Sequence, residues 1–133
     1  MGTRSRVGVM HGTVCKSVYC HYDGYLKYTG EILNKHYDSA LANQLVARGD
    51  NSGVKETLDG MNFDGDPSQD DVGYHIARTF EEFLEQVQGN GCEYYYVMRD
   101  GVWYAGCVYE TKGLVKNGLV ALKDAMTALE AVA

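Results

Sequence analysis

Apolar and polar residues alternate over residues 4–10 and again over 14–20, with Val7, Val9, Val14 and Val18 marking the apolar phase. A period of two is the signature of a half-buried strand. His11-Gly12 between the two runs predicts a hairpin turn. If those two residues are the loop, Met10 pairs with Thr13. Val7, Val9, Val14 and Val18 then share one face with Ser5 and Lys16, while Arg4, Arg6, Ser17, Tyr19 and His21 share the other. Slipping one strand by a single residue would invert this assignment.

The period then lengthens. Asp23-Gly24 breaks the second strand, and Ile32, Leu33, His36 and Tyr37 recur at helical spacing. Ser39 is placed to cap a second helix with Leu41, Leu45 and Val46 as its stripe, and Gly49 to stop it. Over residues 50–73 periodicity weakens into a long polar excursion, with a short helical turn near 55–58. Thr79-Phe80-Glu81-Glu82 is a capping-box pattern. Phe80, Phe83, Leu84 and Val87 form the buried stripe that follows. Strands at 92–99 and 102–109 flank Asp100-Gly101, a favoured two-residue hairpin turn. Residues 119–132 predict a last helix, lined by Leu119, Leu122, Met126 and Leu129. The expected fold is α+β. An antiparallel sheet from two β-hairpins carries about four helices packed mainly on one face, in a single domain over 1–133.

Composition narrows the function classes. The chain has 133 residues and a formal net charge of -6. That balance argues against extended nucleic-acid binding, which draws its affinity from Lys and Arg. No apolar run approaches the ~20 residues that span a bilayer, and the first residues carry no apolar signal core. The expectation is a cytoplasmic protein with no membrane partner. Four cysteines, Cys15, Cys20, Cys92 and Cys107, contain no C-x-x-C spacing. They read as reduced and buried. Asp64, Asp66, Asp70 and Asp71 form an acidic loop. A calcium loop starting at Asp64 would need Gly and Glu where Gln69 and His75 stand. No metal and no cofactor are expected.

The densest polar and aromatic cluster is Tyr19-Cys20-His21-Tyr22-Asp23-Gly24-Tyr25, followed by Tyr28, His36 and Tyr37. Together with the opening Met1-Gly2-Thr3-Arg4-Ser5, it resembles a family of small proteins of tailed phages and bacteria. These begin with GTRS and carry YCH, an aromatic residue, then DGY. Residues 92–109 are similar to the later aromatic hairpin of that family. The resemblance implies a phage or phage-like context, in the host cytoplasm during infection, and assigns no reaction.

Arg4 and His21, on one strand face, can both donate hydrogen bonds to an anion, Arg in a fixed fork. Tyr19, Tyr22 and Tyr25 offer flat surfaces to a heterocycle, and Asp23 can accept from a base amine or a ribose hydroxyl. The candidate ligand set is Arg4, His21, Tyr22, Asp23, Tyr25 and His36. The competing reading makes Asp23-Gly24 a plain turn and the tyrosines core. In the second hairpin Tyr94, Tyr96 and Trp103 are expected to form a homo-oligomer interface, since Tyr and Trp are enriched at hot spots. The functional expectation is a non-enzymatic counter-defence protein that sequesters a small nucleotide-like immune signal. One alternative is a protein-binding inhibitor of a host defence or nucleic-acid enzyme. Another is a small nucleotide hydrolase using Asp23 and His21, or an enzyme pairing Cys15 or Cys20 with His21 or His36.

Overall fold

In a computed structural model of the chain, which describes residues 3–63, 73–109 and 113–130, the first hairpin joins β1 (Ser5–His11) to β2 (Val14–Cys20). Its loop is Gly12-Thr13, and His11 pairs with Val14 rather than lying in the turn. The reason is local. Gly12 has φ +65, and a type II′ turn places its glycine at the first central position. Moving the turn by one residue shifts the register by two and leaves the faces unchanged, so Val7 lies opposite Val18. The second hairpin joins β4 (Tyr94–Arg99) to β5 (Val102–Cys107). It turns at Asp100-Gly101, whose φ values of 51 and 79 are the type I′ pattern.

Two further strands extend the sheet, β3 (His75–Ala77) beside β2 and β6 (Val120–Ala121) beside β5. The order is β3-β2-β1-β4-β5-β6. All pairs are antiparallel except the central one, β1 with β4. That parallel pair follows from the connection. β3 runs antiparallel to β2, and α3 (Phe80–Gly89) returns the chain across the sheet to start β4.

α1 (Glu31–His36), α2 (Ser39–Arg48) and α4 (Leu122–Glu130) lie on one face. Leu33, Leu45, Val46, Leu122 and Ala125 there cover Val7, Val18, Tyr96, Met98 and Trp103. α3 covers the other face, packing Phe83 and Val87 on Cys15, Tyr95 and Val97. Fully burying a side chain the size of Phe83 contributes roughly 1.5–3 kcal/mol.

The helix ends follow capping chemistry. Thr79 Oγ1 accepts from Glu82 N at 3.1 Å, and Glu82 Oε2 accepts from Arg78 N at 2.7 Å. α2 is capped by Asp38, whose Oδ1 accepts from Leu41 N at 2.9 Å, and not by Ser39. The chain is still extended at Asp38 (φ -85, ψ -176) and already helical at Ser39, so the carboxylate takes the capping role. Gly49, at φ 107, ends α2. α4 begins later than its apolar pattern, because Val120 and Ala121 pair with Ala105 and Tyr104 of β5. The helical turn expected near 55–58 lies at Leu58–Gly60. No described helix is long and apolar enough to cross a membrane.

Candidate functional site

The cluster that follows β2 is a corner between the two faces of the sheet. Residues 51 and 52 extend the pairing at the end of β2. His21 N donates to Asn51 O at 3.1 Å and Tyr22 N to Ser52 O at 2.8 Å. Asp23 then adopts φ 57 and turns the chain. Gly24 N donates to Thr3 O at 2.8 Å. Its carbonyl accepts from the Tyr96 hydroxyl at 2.8 Å, and the Asp23 carbonyl accepts from Thr29 Oγ1 at 2.6 Å. Glycine is needed at 24 for close approach, since a Cβ there would meet Ser5 Cβ at 2.6 Å. Beyond the corner, Leu26–Gly30 form a single π turn that runs into α1. Such turns concentrate at functional sites.

This corner divides the six candidate ligand residues. Arg4, His21 and Tyr22 stay at the sheet end. The Tyr19 hydroxyl and His21 Nδ1 lie 2.7 Å apart, and the His21 ring meets Tyr22 edge-on at 4.4 Å. Burial pushes the Tyr19 phenol up, and the Arg4 charge partly offsets the shift. Tyr25 and His36 go with the helices. Tyr25 stands 6.1 Å from Tyr28, ring to ring. Asp23 serves through its backbone. Of the six, His36 lines one of the two described cavities, and Arg4, His21, Tyr22, Asp23 and Tyr25 line neither.

The cavity that contains His36 is a groove of about 470 Å³ between the π turn, α1 and the 55–60 segment. Lys27, Tyr28, Lys35, His36 and Lys55 line it, with Glu31 and Glu56. Three of the chain's seven lysines therefore face one groove in a protein of net charge -6. Glu31 is engaged by Lys35 at 2.8 Å, which holds its carboxyl below the usual range. Lys55 Nζ donates to the Tyr28 hydroxyl at 3.1 Å and lies 5.7 Å from the ring centre. Lys27 has no ion-pair partner among the described residues. The lysines leave one excess positive charge beside two aromatic rings.

The sequence contained part of this signal. Lys27, Glu31 and Lys35 recur every fourth residue, the spacing of one helix face. Lys55 carried none, because only the packing of the loop brings it to Tyr28.

Other expectations resolve more simply. Tyr96 is fully buried and Trp103 is 7% exposed, both under the helices, with the Trp103 indole N–H donating to Tyr37 O at 2.8 Å. Tyr94 is half-buried and packs against the same core. For Tyr96 and Trp103 the expected interface is corrected, because the second hairpin turns these side chains into the core and not onto an outer face. Cys15, Cys20, Cys92 and Cys107 are free and buried. Burial pushes the Cys15 and Cys20 thiols up to about 12, which favours the protonated thiol near neutrality. Asp64, Asp66, Asp70 and Asp71 lie outside the described residues. Among the described residues no three His, Cys, Asp or Glu side chains group as metal ligands. No protein-family model, curated protein or solved structure matches the chain.

Proposed function

We propose that the protein binds a small anionic, nucleotide-like ligand without transforming it, in the groove between the π turn, α1 and residues 55–60. The convergence of Lys27, Lys35 and Lys55 on one cavity beside Tyr28 carries this reading. Ammonium groups hold phosphate oxygens through charge-assisted hydrogen bonds. Tyr28 offers a ring face to a base, and His36 supplies a further ring nitrogen. A ligand of this class fits a groove of about 470 Å³, within the range of small-molecule sites. The counter-defence setting, in which binding sequesters an immune signal, rests on the phage-like opening and the YCHYDGY residues alone.

The test is calorimetric titration of a panel of linear and cyclic nucleotides, with chromatography of the recovered ligand. The parent should bind at least one member and return it unchanged. Lys27→Gln with Lys55→Gln should weaken binding at least tenfold, the equivalent of about 1.4 kcal/mol. A parent that binds none of the panel, or that releases a cleaved product, would sink the reading.

A further inference from the structure

On the opposite face of the sheet, at the end where β1 and β4 begin, two guanidinium groups converge on one neutral residue. Arg4 Nη1 donates to the Asn90 carbonyl at 3.4 Å, and Arg6 Nη1 donates to Asn90 Oδ1 at 2.6 Å. Arg6 Nε is taken by Ser17 Oγ at 2.9 Å. Arg6 is only 2% exposed, yet its Nη2 has no acceptor. A buried cation normally finds an anion, because the desolvation it suffers is large. Here no carboxylate bonds to either arginine among the described residues.

Asp50, whose charge acts on Arg6 through space, makes its own contacts elsewhere. Its Oδ1 accepts from Tyr19 N at 2.9 Å, and its Oδ2 faces His75 Nε2 at 3.2 Å. The thiols around Arg6 do not supply a charge. Burial pushes Cys15 and Cys20 up to about 12 and Cys92 up to about 11, so all three are neutral. The C-terminal end of α3, where Asn90 sits, contributes only a partial negative charge. The two guanidinium groups are thus held by hydrogen bonds to neutral groups, with the charge of Asp50 reaching Arg6 only through space.

We infer that Arg4 and Arg6 form a second anion site, independent of the lysine groove, that takes a tetrahedral oxyanion such as phosphate or a phosphate monoester. Arg4 is exposed and reaches the anion first. Arg6 completes the site through Nη2, the donor without an acceptor. The guanidinium fork suits this geometry, which a single lysine point charge does not reproduce.

The experiment titrates inorganic phosphate and, separately, a nucleoside monophosphate into the full chain, read by melting temperature and calorimetry. Sodium chloride at matched ionic strength is the control. Phosphate, the monophosphate or both should raise the melting temperature saturably and beyond the chloride control, and the tighter ligand of the Lys27→Gln, Lys55→Gln variant names the source. Arg4→Gln should weaken binding about tenfold to a hundredfold, the loss of one charge-assisted bond. Arg6→Met should abolish it in a protein that still folds, because an apolar isostere tolerates that buried position. Lys27→Gln with Lys55→Gln should leave the saturable response to inorganic phosphate intact, which separates this site from the groove, whereas any monophosphate binding lost in that variant belongs to the groove. Three results would overturn the inference: stabilisation equal to that of chloride, parent-like binding of phosphate by Arg4→Gln, or the inorganic-phosphate response lost with the lysines. If the arginines serve only to cap α3, Arg4→Gln lowers the melting temperature and leaves the anion response unchanged, which also refutes the inference.

Discussion

The corner at Asp23-Gly24 leads into Lys27 and Tyr28, and the buried Tyr96 hydroxyl ties it to β4. Tyr96→Phe removes the hydrogen bond from that hydroxyl to the Gly24 carbonyl, 2.8 Å long and fully buried. The ring and its packing remain, so the cost is that of an unpaired buried carbonyl, about 1–3 kcal/mol. For 133 residues the unfolding entropy at the midpoint is about 0.28 kcal/mol/K. The melting temperature should then fall by about 4–11 °C. Tyr94→Phe is the control, since Tyr94 is half-buried on the same strand and its hydroxyl has no hydrogen-bond partner among the described residues. Circular dichroism melts of the three proteins give the comparison. Nucleotide affinity should fall with Tyr96→Phe, although that residue does not line the groove. If Tyr96→Phe melts with the parent, the corner is not held from the sheet. The link between core and groove then fails.

Two further predictions follow from burial. Stability should decline in alkali. Cys15 and Cys20 have an ordinary value of 9.0 and are raised to about 12 in the fold. Their neutral form therefore supports the fold fully below pH about 9, and that support is lost as pH rises towards 12. Each thiol contributes a slope of about 1.4 kcal/mol per pH unit within this window. Urea unfolding at about pH 8 and about pH 10.5 measures the slope, and an unchanged free energy would refute it. Gly24→Ala should destabilise the chain by more than about 1 kcal/mol, because its Cβ would collide with Ser5 at the crowded corner. A melt equal to the parent's would show that β1 can move aside.

Local chemistry was legible in the sequence wherever one or two residues decide the outcome. Asp100-Gly101 and Thr79 turned and capped as their side chains dictate. The faces of the first hairpin held despite a displaced turn, because a shift of two preserves strand parity. What failed depended on neighbours distant in sequence. Val120 and Ala121 carry a helical pattern, yet an edge of β5 captures them as a strand. Trp103 and Tyr96 sit in a hairpin with aromatics in both phases, so period alone could not say which phase the helices cover. The β1–β4 pairing joins residues 5–9 to 94–98, and no local signal encodes a partner at that separation. The candidate site divided for the same reason. Its residues are close in sequence, but the positive φ at Asp23 sends the chain from one face to the other.

That division has a physical consequence for how the two anion sites relate. Arg4 and Arg6 lie at the start of β1, on the α3 face, because β1 and β4 run in parallel and α3 must end above their first residues. Lys27, Lys35 and Lys55 lie on the other face, because the π turn follows the corner at Asp23-Gly24. The sheet between them is filled by Val7, Val18, Cys20 and Tyr96, all closely packed and uncharged. Charges on opposite sides of such a layer share no hydrogen-bond network, and substitutions without shared partners add. Loss of Arg4 and loss of Lys27 should therefore act on ligand binding independently. The exception is the corner itself. Gly24 is fixed to Thr3 on one side and to Tyr96 on the other, so it is the element through which a displacement of the Arg4 strand would reach Tyr28. A cycle of Arg4→Gln and Lys27→Gln in the parent should show no coupling. The same cycle in Tyr96→Phe, where the corner is released, should show none either. Coupling present in the parent and lost on releasing the corner would mean that the two faces communicate through Gly24, and that the sites are not independent.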